Sequence, residues 1–282
     1  MSSAHGTRHP RIAVVGSINV DITATTSRLP GPGETVTDGV LTRMPGGKGS
    51  NQASAAARLG GDVRMIGAVG RDGEAELMRA ALGRAGVNTS ALAERDSATG
   101  IALICVDSHG ENQISVCPGA NSEIDTSSID FDDDAVIMQL EIPMDRVLDA
   151  ARRASGMVVL NASPVRDLPR ELLDNTDLLV VNEHERDALD HIPPGCLVAV
   201  TYGADGAELL RDGTSLARAA GVPTTAVSSV GAGDAFCAAL VVGLLRGYEP
   251  RVALEAACAV GAAAVADEAT QPEFGDLDEY VG

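Results

Sequence analysis

Residues 178–201, LLVVNEHERDALDHIPPGCLVAVT, carry the pattern that sets the fold class. Leu178–Val181 is a short, wholly apolar run, which suits a strand buried on both faces. Leu197–Thr201 is a second such run. Between them Glu183–Asp190 reads as a helix. Asn182 and Glu185 lie three residues apart and so share a helix face. The spacing leaves room for little more than that one short helix. A parallel crossover needs only about 10–12 residues, so two strands of a parallel sheet can still close around it.

The same alternation extends in both directions. Arg11–Gly16 reads as a buried first strand, and Val63–Val69, Ala135–Leu140 and Met157–Leu160 follow the same pattern. Helical stretches fall at Asn51–Leu59, Glu74–Ala85 (with Gly86 as C-cap), Met144–Ala154, Ala235–Arg246 and Pro250–Asp267. Strand alternating with helix predicts an α/β fold, a doubly wound and mostly parallel sheet flanked by helices. Two segments break the rhythm. Asp21–Pro45 is rich in Thr, Gly and Pro, and Thr99–Cys117 reads as a hairpin turning at Asp107–Asn112. Together they predict a small separate β-sheet over the carboxyl ends of the core strands, where ligands of α/β proteins bind. The expected organisation is one α/β domain over 1–282, with a lid from insertions at about 21–45 and 97–118.

Composition narrows the partners. The chain has 282 residues, 45% of them hydrophobic, enough for a sizeable core. No apolar run reaches the roughly 18 residues that would span a bilayer, so a membrane is not an expected partner. Met1–Pro10 is polar and lacks an apolar signal core, which predicts a short flexible lead-in to a cytoplasmic protein. The net charge of −19 argues against nucleic acid. Five cysteines, none in a CxxC pair, read as reduced thiols rather than a zinc site. Lys48 is the only lysine in the chain.

Five motifs carry chemistry. Val230-Gly231-Ala232-Gly233-Asp234-Ala235-Phe236 precedes an apolar helix. Small residues let the backbone approach a ligand, and the helix aims unpaired N–H groups and its positive end at it. Asp234 could take a proton from an attacking hydroxyl, or could simply cap the helix. Gly46-Gly47-Lys48-Gly49-Ser50-Asn51-Gln52-Ala53 is a second glycine loop opening a helix, with a cation and an amide able to bond sugar hydroxyls or phosphate. In Gly16-Ser17-Ile18-Asn19-Val20-Asp21, Asn19 and Asp21 alternate with apolar positions. An amide and a carboxylate together suit a diol, though a hydrogen-bonded turn reads equally well. Asn182-Glu183-His184-Glu185 offers either a water-mediated magnesium site or an ordinary helix cap. Thr201-Tyr202-Gly203-Ala204-Asp205-Gly206 says only that a strand meets a glycine turn.

Taken in order, these motifs resemble the ribokinase-like (PfkB) sugar kinases over nearly the whole chain. The resemblance rests on GSINVD at 16–21, PGETVT at 32–37, GGKGSNQA at 46–53 and TGIALI at 99–104. It continues with GENQI at 110–114, PGAN at 118–121 and MQLE at 138–141. NEHE at 182–185, TYGADG at 201–206, GAGDAF at 231–236 and TQP at 270–272 complete it. It implies that Asn19, Asp21, Gly47, Lys48, Asn51 and Glu141 hold the hydroxyls of a pentose, ribose first. Asp234 would deprotonate the terminal hydroxyl, and the N–H groups of Gly231, Ala232 and Gly233 would stabilise the transferring γ-phosphoryl of ATP. Asn182 and Glu185 would organise Mg2+ through water, and Thr201, Gly203 and Gly206 would line the nucleotide site. The lid would close over the sugar and also pair two copies as a homodimer.

The same resemblance implies a monovalent cation site at Ser228 and Val230. Relatives typically carry Asp where this chain has Ser228. Asp267-Glu268-Ala269 replaces a basic-Gly segment, and Glu273 stands where a small residue is common. These departures predict altered or absent K+ activation. The short 185–201 segment predicts a more open nucleotide side. Two alternatives stay open: a kinase for deoxyribose or a nucleoside, and a catalytically weak sugar- or nucleotide-binding protein.

Overall fold

The computed structural model describes residues 9–282; the lead-in expected over Met1–Pro10 lies mostly outside the described residues. The chain enters at β1 (Arg11–Val15) and continues through β2 (Asn19–Thr25), β3 (Val40–Gly46), α1 (Lys48–Arg58), β4 (Asp62–Val69), α2 (Gly73–Arg84) and β5 (Leu92–Glu94). Next come β6 (Gly100–Val106), β7 (Asn112–Cys117), β8 (Ala135–Met138), α3 (Met144–Arg153), β9 (Met157–Asn161) and α4 (Arg170–Asp174). The last part holds β10 (Leu178–Asn182), α5 (Glu183–Asp187), β11 (Leu197–Thr201), β12 (Ala207–Arg211), β13 (Thr214–Ala219), α6 (Ala232–Leu245) and α7 (Pro250–Val265).

Nine strands form one sheet in the order β13-β12-β11-β10-β9-β8-β1-β4-β5. The run from β11 through β5 is parallel, whereas β12 and β13 are antiparallel. Strand order turns around at β1, whose neighbours are β4 and β8. Where the connections after neighbouring parallel strands leave to opposite faces of a sheet, a crevice opens at the strands' carboxyl ends.

The period of two along β1 sorts its side chains between two cores. Ile12 and Val14 pack with α1, α2, α6 and α7 on one face, and Ala13 and Val15 pack with α3 and α4 on the other. Helix α6 is buried from Asp234 to Gly243, because it runs between α1 and α7. A helix that is apolar on all sides must be buried on all sides.

The small sheet has the order β3-β2-β6-β7. β3 and β7 pair antiparallel to their neighbours, and β2 pairs parallel to β6 in the middle. β2 leaves β1 after only Gly16, Ser17 and Ile18, so the lid is anchored at the crevice itself. No helix among the described residues is long and apolar enough to cross a membrane.

Candidate active site

The floor of the crevice is built by the turn between β1 and β2. Ser17 Oγ donates to Glu141 Oε2 at 2.6 Å, and the Lys48 backbone N–H donates to the same oxygen at 3.1 Å. The Gly49 N–H donates to Ser17 Oγ at 3.3 Å. Glu141 is thereby fixed against the start of α1. Asn121 brackets the next residues: its Oδ1 accepts from the Ile18 N–H at 2.9 Å, and its Nδ2 donates to Asn19 Oδ1 at 2.8 Å. That bond sets which end of the Asn19 amide faces Asn121. Two glycines make room. A side chain at Gly46 would collide with the Asp21 carboxylate, and one at Gly100 would collide with the Asn19 and Asn121 amides.

Asp234 enters from the other side. Gly231, at φ 80°, is the residue before α6, in a left-handed conformation that favours glycine. The helix therefore begins at Ala232, three residues ahead of the expected Ala235, and Asp234 lies inside its first turn rather than at its cap. Its carboxylate turns towards α1 instead. Oδ2 accepts from Asn51 Nδ2 at 3.1 Å, and Oδ1 accepts from Gln52 Nε2 at 2.9 Å. Asn51 Oδ1 in turn accepts from Gln271 Nε2 at 3.1 Å. Helix geometry leaves the first N–H groups of α6 without intrahelical partners, directed at the crevice.

Charge is concentrated here. Burial pushes the Asp21 carboxyl up to about 6, with Glu141 and then Asp234 adding repulsion. Burial also raises Asp234, although Lys48 and the Gln52 and Asn51 amides favour its ionised form. Burial alone would lower Lys48, but Asp234, Glu141 and Glu185 outweigh it and hold its ammonium above the ordinary range. One cation thus serves a cluster of acids, which accounts for a lysine in a chain that otherwise uses only arginine.

The crevice has a volume of about 460 Å3. It brings together Asn19, Asp21, Gly47, Lys48, Asn51 and Glu141 with Gly231, Gly233 and Asp234. Its far end is lined by Asn182, Glu185, Thr201 and Val230, and its roof by Ala102, Ile104 and Ile114 of the lid. Four other expected residues do not line it. Ala232 packs its side chain against the core. The Ser228 N–H is tied back to Val265 O, and Ser228 Oγ accepts from the Val230 N–H. Gly203 and Gly206 instead shape the turn from β11 to β12. Gly206, at φ 101°, has no room for a side chain beside Ala219 O, and the Tyr202 N–H closes the turn onto Gly206 O at 2.8 Å.

Asn182 and Glu185 form a reciprocal helix cap. Asn182 Oδ1 accepts from the Glu185 N–H, and Glu185 Oε2 accepts from the Asn182 N–H, both at 2.8 Å. No cluster of three or more His, Cys, Asp or Glu among the described residues could ligate a metal directly. At the far end of the crevice the donors are the Glu185 carboxylate and the Asn182 amide, a set that fits Mg2+ held largely by water and phosphate oxygens.

Several buried polar groups had no assigned role in the sequence. Ser17 and Asn121 support Glu141 and Asn19. Gln52, Gln139 and Asn161 lie behind Asp234, all of them buried. Ser17, Gln52, Gln139 and Asn121 stand inside the quoted motifs. That is the one local signal that marks them.

Lid, crevice and glycine-entered helix together define a class. The pfkB family carbohydrate kinase model matches residues 9–274, and the chain belongs to that family of sugar kinases. Among its members it is similar to ribokinases. The Lactococcus lactis ribokinase is 34% identical over 252 residues, covering 83% of each chain. The Bacillus subtilis ribokinase is 32% identical over 268 residues, covering 86% of this chain and 88% of that one. A bifunctional ribokinase/ribose-5-phosphate isomerase A from Fructilactobacillus sanfranciscensis is 38% identical over 193 residues, and the match spans only 36% of that longer protein. The Thermotoga maritima ribokinase structure superposes with a TM-score of 0.87 at 29% identity, covering 96% of this chain and 98% of that one. The Arabidopsis thaliana ribokinase complexed with ribose and ATP gives 0.85 at 28% identity, covering 97% and 98%.

Proposed function

We propose that this chain transfers the γ-phosphoryl group of ATP to the terminal hydroxyl of D-ribose. The observation that carries the reading is the meeting of Asp234 with Asp21, Lys48 and Glu141 in one crevice at the entrance of α6. Asn19, Asp21, Lys48, Asn51 and Glu141 bind the diols; the carboxylates accept and the amides and ammonium donate. Asp234 takes the proton of the terminal hydroxyl as that oxygen bonds to the γ-phosphorus. The bond from phosphorus to the bridging oxygen breaks, ADP leaves, and the proton passes from Asp234 to solvent. The N–H groups of Gly231, Ala232 and Gly233 stabilise the charge on the moving group, which is the main requirement of phosphoryl transfer. Asn182 and Glu185 would hold Mg2+ through water, and the ion would supply neutralisation of phosphate charge. Thr201 lines the nucleotide end. The lid excludes water, the competing acceptor.

ADP release with MgATP and a panel of ribose, deoxyribose, fructose and adenosine tests the reading. Ribose turns over fastest. Activity on adenosine with none on ribose overturns the assignment, and no turnover on any acceptor favours a binding protein. Three Phe, three Tyr and no Trp leave little to stack a nucleoside base, which supports the sugar. Run in K+ and in Na+, the same assay gives similar rates, because Ser228 lacks a carboxylate; a several-fold preference for K+ removes that point. Val40, Ile114 and Val116 are exposed on the crevice-facing side of the lid, and their burial favours a homodimer paired through the two lids. Sedimentation as a monomer at micromolar concentration rejects that assembly.

A further inference from the structure

Behind Asp234 runs a chain of buried amides that the proposed transfer step does not use. Gln139 follows β8, Gln52 lies on α1 and Asn161 ends β9. Gln139 Nε2 donates to Gln52 Oε1 at 2.6 Å. Gln52 Nε2 donates to Asp234 Oδ1 at 2.9 Å and also to Asn161 Oδ1 at 3.1 Å. Asn161 Nδ2 donates to Val180 O at 3.1 Å, which anchors the far end in the sheet.

The chain has a direction. A backbone carbonyl can only accept, so Val180 O forces Asn161 to turn its NH2 that way and its carbonyl towards Gln52. Gln52 must then present its own NH2 towards Asn161 and Asp234, and its carbonyl towards Gln139. Gln139 completes the order by donating its NH2. Its Oε1 is left buried with no hydrogen-bond partner among the described residues. That oxygen lies over Gly16, where a side chain would collide with it. Buried carbonyls are almost always paired, and an exception asks for a reason. Here, turning the Gln139 amide around would set its carbonyl against the carbonyl of Gln52. The orphaned oxygen is the consequence of keeping a donor on Gln52.

We propose that Gln52 and Gln139 are positioning residues for phosphoryl transfer: Gln139 locks the amide of Gln52 so that an N–H faces Asp234 Oδ1, and this holds the carboxylate turned for proton abstraction. With Asn51 on Oδ2, each carboxylate oxygen then receives one amide donor. The other groups facing Asp234 are Lys48 from α1, Glu141 from the segment after β8, Asp21 from β2 and Cys237 one turn along α6. The inference rests on Asp234 being the base.

The test compares Gln139→Met with Gln139→Glu, measuring kcat and KM for ribose from pH 5 to 9 alongside thermal melting. Met fills similar space but cannot donate, so the Gln52 carbonyl loses its donor and the Gln52 amide, held only from its Asn161 side, grips Asp234 less firmly. A buried Glu stays protonated and can still donate O–H to Gln52 Oε1. Gln139→Met is expected to lower kcat about 10-fold, a fraction of the 10²–10⁴ that a general base supplies. It should also move the acidic limb of kcat upward by about half a pH unit or more and leave KM within roughly threefold, as loss of a transition-state interaction does. Gln139→Glu should recover most of the rate at pH 6. A folded Gln139→Met protein with the parent kcat and an unmoved limb overturns the inference, as does equal loss in both variants. If Gln139→Met does not fold, Gln52→Glu decides. Its carboxyl must share a proton with Asp234, so the acidic limb moves upward, and an unmoved limb overturns the inference. Full activity in Asp234→Ala would instead sink the base assignment itself. A dead Asp234→Ala protein with a normal Gln139→Met sinks only the positioning role.

Discussion

The two ends of the crevice are built differently. At the proposed sugar end most polar side chains other than those of Asp21 and Lys48 are already fixed: Ser17 and the Lys48 backbone N–H on Glu141, Asn121 on Asn19, Asn51 and Gln52 on Asp234, Gln271 on Asn51. At the nucleotide end the segment 222–230 runs mostly exposed, with Val222, Val227 and Val230 open to solvent. Its backbone ties include the Val227 and Ser228 N–H groups on Val265 O. A preorganised site loses little freedom when its ligand arrives, whereas an open segment must be ordered by the ligand. Sugar recognition is therefore expected to be a rigid fit, and nucleotide binding to be coupled to ordering of 222–230.

The sharpest way to break this contrast is Asp234→Ala. Turnover should fall by about 10³-fold or more, the upper range for a general base, while ribose affinity measured by calorimetry stays within a few-fold. A comparable loss of affinity would mean that Asp234 belongs to the sugar cradle rather than to the chemistry.

A smaller effect separates binding from stability. Asp21 is held up near 6 against an ordinary 3.8, so its charged form is disfavoured in the fold. The sign follows from linkage. The folded protein binds this proton more tightly than the unfolded chain does, so the ionised carboxylate costs stability above pH 6, and the cost vanishes below about pH 4. Asp21→Asn should therefore raise the melting temperature by a few degrees at pH 8, corresponding to roughly 1–3 kcal/mol, and not at pH 4. The same change should weaken ribose binding at least about tenfold, by removing acceptors from the diols. A lower melting temperature at pH 8 would show that Asp21 serves the fold rather than the ligand.

The smallest effect is one of dynamics. Amide exchange over 222–230 should be fast without nucleotide and slow on adding MgATP, while exchange over 48–56 in α1 should be slow throughout. Equal protection of both segments before nucleotide is added would erase the contrast.

Much of the fold could be read from sequence because parallel strands buried on both faces are uninterrupted apolar runs. β1, β4, β8, β9, β10 and β11 each have one. Glycine hid the helix starts. α1 begins at Lys48 and α6 at Ala232, each three residues before the start expected from the sequence, because Gly49 and Gly233 lower local propensity where tertiary contacts override it. The expected helix Glu183–Asp190 stops at Asp187. The edge hairpin of β12 and β13 escaped notice because its strands are half polar. Its turn, Asp212-Gly213 with φ 51° and 73°, carried the local signal of a two-residue hairpin. At the site, charged residues beside glycines stood out in the sequence, and so did the lid. The amides behind Asp234 did not: Gln52 and Gln139 are 87 residues apart, and only the packing of α1 against the sheet makes them neighbours. Gly203 and Gly206 were expected at the nucleotide site, and their geometry explains them as turn glycines.

In the proposed reaction Asp234 meets the sugar hydroxyl which the cradle of Asp21, Lys48 and Glu141 presents to it. A crystal structure with ribose and a non-hydrolysable ATP analogue tests this most directly. The terminal hydroxyl oxygen is expected within about 2.6–3.2 Å of the Asp234 carboxylate, in line with the γ-phosphorus at the start of α6. Ribose bound with that hydroxyl turned away from Asp234, or outside the crevice, would contradict it.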